Sequence, residues 1–297
     1  MLLLSAKPLV DLLKQSLAEQ VLTFVKTQGR APRLAVVIVG HDPASLIYVR
    51  KKGEMAETLG FTHKTITLPF DSSPAFIRRT VDQLNQDAGV DGILIQRPLP
   101  SNCKAEEIVG WVDPQKDVDG FHPENVGRLS LGLNTFQPCT PSGIIKLLKF
   151  YKIPLQGKTA CIVGRSPIVG KPMAALLLQE DSTVIHCHSQ TPHLEQWTRV
   201  ADLVVSAVGK THIIGTGHIK PGATVIDVGM NRDSEGKLVG DVDFQTVSKI
   251  AGAITPVPGG VGPMTILGLM QNTITAAQVR SGMLRFSPPF LSASALL

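Results

Sequence analysis

The sequence predicts an α/β protein of two domains, each built on a parallel sheet. Apolar runs of strand length alternate with segments of helical spacing along the chain, the pattern of strands joined by helical crossovers. Several of these runs are apolar on both faces and stop at a glycine, as strands buried inside a parallel sheet do. At 297 residues the chain can bury two cores. Its composition, 43% hydrophobic and 18% charged, is that of an ordinary globular protein.

Leu9, Leu12, Leu13, Leu17, Val21 and Leu22 predict a helix over 8–28. A buried strand follows from Leu34 to Gly40, then a polar turn over 41–46 and a helix carrying Tyr48 and Lys52. Residues 64–69 read as a second strand and 73–85 as a helix capped by Asp71, Ser72 or Ser73. Gly92 to Gln96 is a third strand, stopped by Pro98 and Pro100. Residues 114–141 show no periodicity and read as a long irregular segment, a functional loop or a linker. A helix over 143–151 leads into strands at 159–163, 183–187, 202–207 and 224–228, with a shorter candidate at 254–257. Residues 263–278 close as a helix returning towards the first domain. The expected domains are 1–140, with a helix at about 272–285 packing back on it, and 141–271; a Pro- and Ser-containing tail at 286–297 is expected to be poorly ordered.

The net charge of +5 permits anionic ligands, but Lys and Arg are scattered and no basic block interleaves with aromatics, so nucleic acid is not expected. Cys103, Cys139, Cys161 and Cys187 are far apart, with no CxxC pair and no His at ligand spacing, which argues against a metal. Cys161 sits in a strand pattern and reads as packing. The opening three-leucine run is too short for a signal peptide or a membrane span. A soluble, reducing, cytoplasmic setting is expected.

The stretch KTACIVGRSPIVGKPM, from Lys158 to Met173, gives the second domain its chemistry. A strand ends at Gly164, a polar turn carries Arg165 and Ser166, and Gly170 and Pro172 open an apolar helix. Strand, glycine turn and helix start together offer N–H groups and a positive helix end to a phosphate. The spacing departs from GxGxxG: Gly164 matches the first glycine, while Ser166 and Val169 stand at the second and third. The next strand ends in His188-Ser189-Gln190-Thr191, with no carboxylate to hold ribose hydroxyls. A cation at Arg165 and a hydroxyl in place of that carboxylate favour NADP over NAD. His188 is either part of this site or a surface histidine.

In the first domain Tyr48 and Lys52 share one helix face. Lys52 is either a general acid or base tuned by burial, or a solvated member of Arg50-Lys51-Lys52. Gln96 ends a buried strand, where α/β sheets place ligand-facing groups, or bonds a loop backbone. Asp117 and Asp119 bind a metal or a substrate amine, or simply build a turn. The Gly- and Pro-dense run before Met264 and Thr265 fixes an unusual backbone path close to something.

Taken together these pieces resemble the bifunctional methylenetetrahydrofolate dehydrogenase/methenyltetrahydrofolate cyclohydrolase family. The matching segments are Tyr48 to Lys52, Gly92 to Pro100, Lys116 to Gly120, Pro138 to Pro141, Gly164 to Pro172, Gly229 to Asn231, Gly240 to Val242 and Thr255 to Thr265, in the family's order. The resemblance implies two α/β domains, the second a Rossmann-type NADP-binding domain, with an active-site cleft between them. It implies oxidation of the folate methylene bridge by NADP, then hydrolysis of the methenyl product to formyltetrahydrofolate, within one-carbon metabolism and purine biosynthesis. Lys52 is then the catalytic lysine, Gln96 sets its protonation, and Tyr48 orients the folate. Asp119 accepts from the pterin, and Val261, Gly262, Pro263 and Thr265 border the substrate. Gly164, Arg165, Ser166, Ser189 and Met230 line the NADP site. No metal is implied, and a homodimer through the second domain is. Family members often carry a lysine two places after the catalytic one, where this chain has Glu54. The usual leucine after the glutamine is Arg97, which reaches the folate's glutamate tail or points to solvent. Two other classes account for fewer residues: an NADP oxidoreductase of hydroxy or amino acids, which would want an Arg for the carboxylate, and a non-catalytic folate or nucleotide binder, which has no use for Lys52.

Overall fold

The structure, a computed structural model, describes residues 1–286 apart from residue 102. The chain opens with strand β1 (Leu2–Leu3) and helix α1 (Lys7–Gln28). Then β2 (Arg33–Val39), α2 (Pro43–Thr58), β3 (Thr62–Leu68), α3 (Pro74–Gln86) and β4 (Gly92–Ile95) alternate as the sequence predicts. Among the three candidates, Ser73 is the cap of α3, its Oγ accepting from Phe76 N at 3.2 Å. Helices α4 (Ala105–Val109), α5 (Pro123–Ser130) and α6 (Cys139–Phe150) follow. The segment 114–141 is therefore not irregular throughout. His122 caps α5 and Pro123 opens it, but two turns are too short to show a periodicity.

Alternation resumes with β5 (Thr159–Val163), α7 (Gly170–Gln179), β6 (Thr183–Cys187), α8 (Leu194–Thr198), β7 (Leu203–Ser206) and β8 (Thr224–Asp227). A small antiparallel pair, β9 (Asn231–Arg232) and β10 (Leu238–Val239), precedes α9 (Phe244–Val247), β11 (Ala253–Ile254) and α10 (Gly262–Arg280).

Two compact units result: residues 14–137 with 269–286, and residues 1–13 with 138–268. The first unit holds a three-stranded sheet in the order β3-β2-β4, parallel throughout. Ala35, Val37 and Val39 pack there against Ile77, Val81 and Leu84 of α3. The end of α10 joins this unit: Asn272 Nδ2 donates to the carbonyls of Val118 (2.9 Å) and Gln137 (3.0 Å), and Arg280 to that of Val90.

The second unit holds a six-stranded sheet in the order β1-β11-β8-β7-β5-β6, again all parallel. The first thirteen residues, read from the sequence with the other domain, enter this sheet instead, with Leu2 opposite Ala253 and Leu3 opposite Ile254. Cys161 and Cys187 lie within its core, their sulfurs 3.7 Å apart, as the packing reading of Cys161 requires. The expected tail falls outside the described residues except for Phe286, whose ring meets that of Phe136 edge-on at 5.2 Å.

Candidate functional site

In both sheets the strand order reverses beside a central strand, and α/β sheets bind ligands outside the carboxyl ends of the strands at that point. In the three-stranded sheet, β2 is flanked by β3 and β4. The chain leaving β2 turns at Gly40, with φ +85°, and enters α2, whose cap Asp42 accepts from Ser45 N at 2.8 Å. This delivers Tyr48 and Lys52. Lys52 is only 9% exposed, and its Nζ donates to Gln96 Oε1 at 2.9 Å. Gln96 stands just past β4, its Nε2 donating to the Arg97 carbonyl at 2.7 Å. Burial pushes the Tyr48 phenol up.

The loop after residue 115 runs beside β4, where Ile93 N donates to the Lys116 carbonyl at 2.8 Å and Ile93 bridges to Asp117. Its two aspartates have different duties. Asp117 is a turn builder, accepting from Gly120 N (3.2 Å), His122 N (2.7 Å) and Asn125 Nδ2 (2.8 Å). Asp119 lines a small pocket with Ile93, Ile95, Arg97, Val109, Val112, Asp117 and Phe121. Burial pushes its carboxyl up to about 6; Lys52 and Arg97 pull down, Asp117 up. Lys116, in the same KDVDG run, is buried and structural. Its ammonium donates to the carbonyls of Leu84, Asn85 and Asp87, satisfying the end of α3, and burial first of all lowers it to about 8.

In the six-stranded sheet the reversal lies at β5, flanked by β6 and β7. Gly164 follows β5 with φ +121°, a conformation that L side chains rarely adopt, and an added Cβ would overlap the Ala207 carbonyl. Gly170 opens α7 against that turn, where a Cβ would overlap the Gly164 carbonyl. The third glycine of the fingerprint is therefore present one residue later than the standard spacing puts it. Ser166 Oγ accepts from Val169 N (3.2 Å) and Gly170 N (3.4 Å), tying the turn to the helix start. Arg165 is exposed and has no side-chain partner among the described residues. Ser189 is exposed beyond β6, and Met230, 47% exposed, follows β8. His188 folds its ring onto its own turn, Nδ1 accepting from Gln190 N at 3.2 Å. No carboxylate stands among residues 188–191, so a dinucleotide carrying an extra phosphate fits this edge better than one with free ribose hydroxyls.

Val261 is buried, and Gly262 and Pro263 open α10. Thr265 Oγ1 lies 2.8 Å from Thr140 Oγ1. Sequence reasoning missed Thr140, His186 and the buried pair Asp227 and Asp241. His186 Nε2 donates to the Gly164 carbonyl at 2.9 Å. The Asp241 carboxylate accepts from Ser206 Oγ (3.1 Å), from the backbone of Val208, Gly209 and Lys210, and from Asn231 Nδ2 (3.0 Å). Asp227, pushed up to about 6 by burial first, accepts from the backbone of Gly229, Asp241 and Val242. Gly229 to Asn231 and Gly240 to Val242 stood out in the sequence only as motifs; a buried carboxylate that gathers loops carries no local signature. Among the described residues, no group of His, Cys, Asp or Glu is arranged to hold a metal ion, and no helix is long and apolar enough to cross a membrane.

A parallel-sheet unit with a buried lysine at its switch point, and another with a glycine turn that suits a dinucleotide, define a nucleotide-dependent enzyme of two α/β units. Comparison with known proteins narrows the class. The family model for the tetrahydrofolate dehydrogenase/cyclohydrolase catalytic domain matches residues 4–119, and that for the NAD(P)-binding domain of the same family matches 138–281. The chain belongs to the tetrahydrofolate dehydrogenase/cyclohydrolase family. It is 52% identical over 272 residues to the bifunctional protein FolD of Methanoculleus marisnigri, covering 92% of this chain and 93% of that one. It is 53% identical over 251 residues to that of Burkholderia pseudomallei, covering 84% and 88%. Among solved structures, the bifunctional dehydrogenase/cyclohydrolase of Campylobacter jejuni superimposes with a TM-score of 0.92 at 46% identity, covering 94% of this chain and 99% of that one. The Trypanosoma brucei enzyme, solved with NADP cofactor and an inhibitor, gives 0.89 at 36%, covering 94% and 98%.

Proposed function

We propose that the chain oxidises 5,10-methylenetetrahydrofolate with NADP and hydrolyses the methenyl product to 10-formyltetrahydrofolate. The observation that carries this reading is Lys52, a nearly buried ammonium held at 2.9 Å by the neutral Gln96 amide at the carboxyl end of β4. Gly164, Arg165, Ser166, Ser189 and Met230 hold the cofactor, the exposed guanidinium of Arg165 meeting the extra phosphate that distinguishes NADP. NADP, when bound, supplies the acceptor for the hydride.

Hydride loss leaves the folate with an amidinium-like carbon that water attacks. Lys52 manages the proton inventory of that step, and Gln96 holds the ammonium without pairing its charge. Asp119 offers two acceptor oxygens to the donor edge of the pterin, Tyr48 orients the folate, and Val261, Gly262, Pro263 and Thr265 complete the substrate contacts. We further infer a cytoplasmic homodimer supplying one-carbon units for purine biosynthesis, with no nucleic-acid partner. Support for these points is the family resemblance and the scattered basic residues.

Purified protein given methylenetetrahydrofolate and NADP, followed by absorbance, should form the methenyl species and then lose it as water adds. Absence of product with both NADP and NAD sinks the dehydrogenase assignment. A methenyl species that persists at its uncatalysed rate sinks the hydrolytic one.

A further inference from the structure

The pocket lined by Asp119 contains a second cation, Arg97. Its backbone is held from two sides, the carbonyl accepting from Gln96 Nε2 at 2.7 Å and from Ser45 Oγ at 3.1 Å. The Ser45 hydroxyl, 2.7 Å from the carboxylate of Asp42, the cap of α2, shares its single proton between these two acceptors. The Arg97 guanidinium carbon lies 5.7 Å from the centroid of the Phe121 ring, within cation–π range. Anchored at its carbonyl and laid on an aromatic face, Arg97 belongs to the pocket wall and does not swing freely in solvent. Asp119 and Phe121 line that same wall.

Asp119 is under conflicting demands. To meet a two-donor edge with two acceptors it must be ionised, whereas its partly buried setting favours the neutral acid. The charges that bear on it come from three places: Lys52 on α2, Asp117 in its own loop, and Arg97 past β4.

We propose that Arg97 is a positioning residue that keeps Asp119 in its carboxylate form through the neutral range, the two forming parts of one pocket wall. This rests on the assignment of Asp119 to the pterin. Arg97 touches no reacting atom. Removing its charge raises the Asp119 carboxyl further, so more of it is protonated at a given pH. A protonated carboxyl offers a donor where the substrate also presents donors, and folate affinity then falls as pH falls.

The test uses the full-length protein labelled with 13C-aspartate, the Asp119 carboxyl signal being assigned by its loss in Asp119→Asn. Arg97→Leu should move its titration midpoint up by about one pH unit. Arg97→Lys, which keeps the charge, should restore most of that shift; if the leucine variant does not fold, Arg97→Gln replaces it. In parallel, KM for methylenetetrahydrofolate is followed from about pH 6 to 9, with KM for NADP as the control. The acid rise in folate KM should move with the carboxyl midpoint, and KM for NADP should not change. An unmoved midpoint in Arg97→Leu overturns the proposal, as does a folate KM raised by one factor at every pH. An Asp119→Asn enzyme with unchanged folate KM overturns the pterin assignment instead, and the carboxyl titration still reports on Arg97.

Discussion

The contact between Lys52 and Gln96 has a defined sense. The Arg97 carbonyl can only accept, so it takes the amide's N–H, and the amide oxygen is left facing the ammonium. Gln96 thus gives Lys52 a neutral, oriented acceptor. Lys52→Met should therefore lower methenyl hydrolysis by about 10²–10⁴-fold, as loss of a general acid or base does. The dissociation constant for NADP should stay near that of the parent. Decay of the methenyl absorbance and a fluorescence titration with NADPH measure the two quantities, and loss of cofactor binding would mean that Lys52 has another role. The departure at Glu54 leaves this pocket alone. Glu54 is exposed and pairs with Arg50 at 3.6 Å, a solvated helix-face contact worth little. Lys52 and Gln96 could be read from the sequence, because helix spacing and a strand end are local facts. The division of labour among Lys116, Asp117 and Asp119 could not. Asp117 finds its partners within the next eight residues, but Lys116 bonds carbonyls 29 to 32 residues back and Asp119 shares its pocket with β4, so spacing within the run does not tell the three apart.

Strands of the two sheets were legible because a strand covered on both faces is an apolar run, as in Leu34 to Val39 and Ala160 to Val163. β1 was not, since two residues at a sheet edge carry no pattern and its partner lies near residue 253. The glycine turn was legible in kind but not in register. The sequence formula looks for the third glycine at Val169, whereas the close approach of helix to strand falls on Gly170. Gly170→Ala tests the element directly. Its Cβ cannot be accommodated unless the Gly164 carbonyl or the start of α7 shifts, a strain of about 1–3 kcal/mol. Thermal unfolding should begin at lower temperature, and NADP should bind at least about tenfold more weakly. An alanine tolerated on both counts would show that the turn has slack that the close approach does not suggest.

On the scale of the whole molecule, stability depends on groups that join distant parts of the chain. Asp91, 0% exposed, accepts two bonds from Arg30 at 2.7 and 2.8 Å and one from Arg33 N at 2.9 Å, and Arg280 at the end of α10 stands 3.6 Å away. It thus links the end of α1, the start of β2 and the last turn of α10. Asp91→Ala takes the buried acceptor away from two partly exposed guanidiniums and from the Arg33 N–H, and the urea unfolding midpoint should drop by the equivalent of about 2 kcal/mol. A change below about 1 kcal/mol would assign the closure to apolar packing.

The pairing of β1 with β11 also bears on the order in which the protein is made. Leu2 N donates to the Gly252 carbonyl at 2.7 Å and Leu4 N to that of Ile254 at 2.8 Å. β1 therefore has no neighbour in its sheet until Ala253 and Ile254, far along the chain, have been made. Residues 14–137 can assemble their three strands in the meantime, because β2, β3 and β4 are consecutive in the chain. The six-stranded sheet cannot be completed while residue 254 is still to be translated. A waiting strand of only two residues offers little edge for a stray chain to join, which suits a segment whose partner is made so much later.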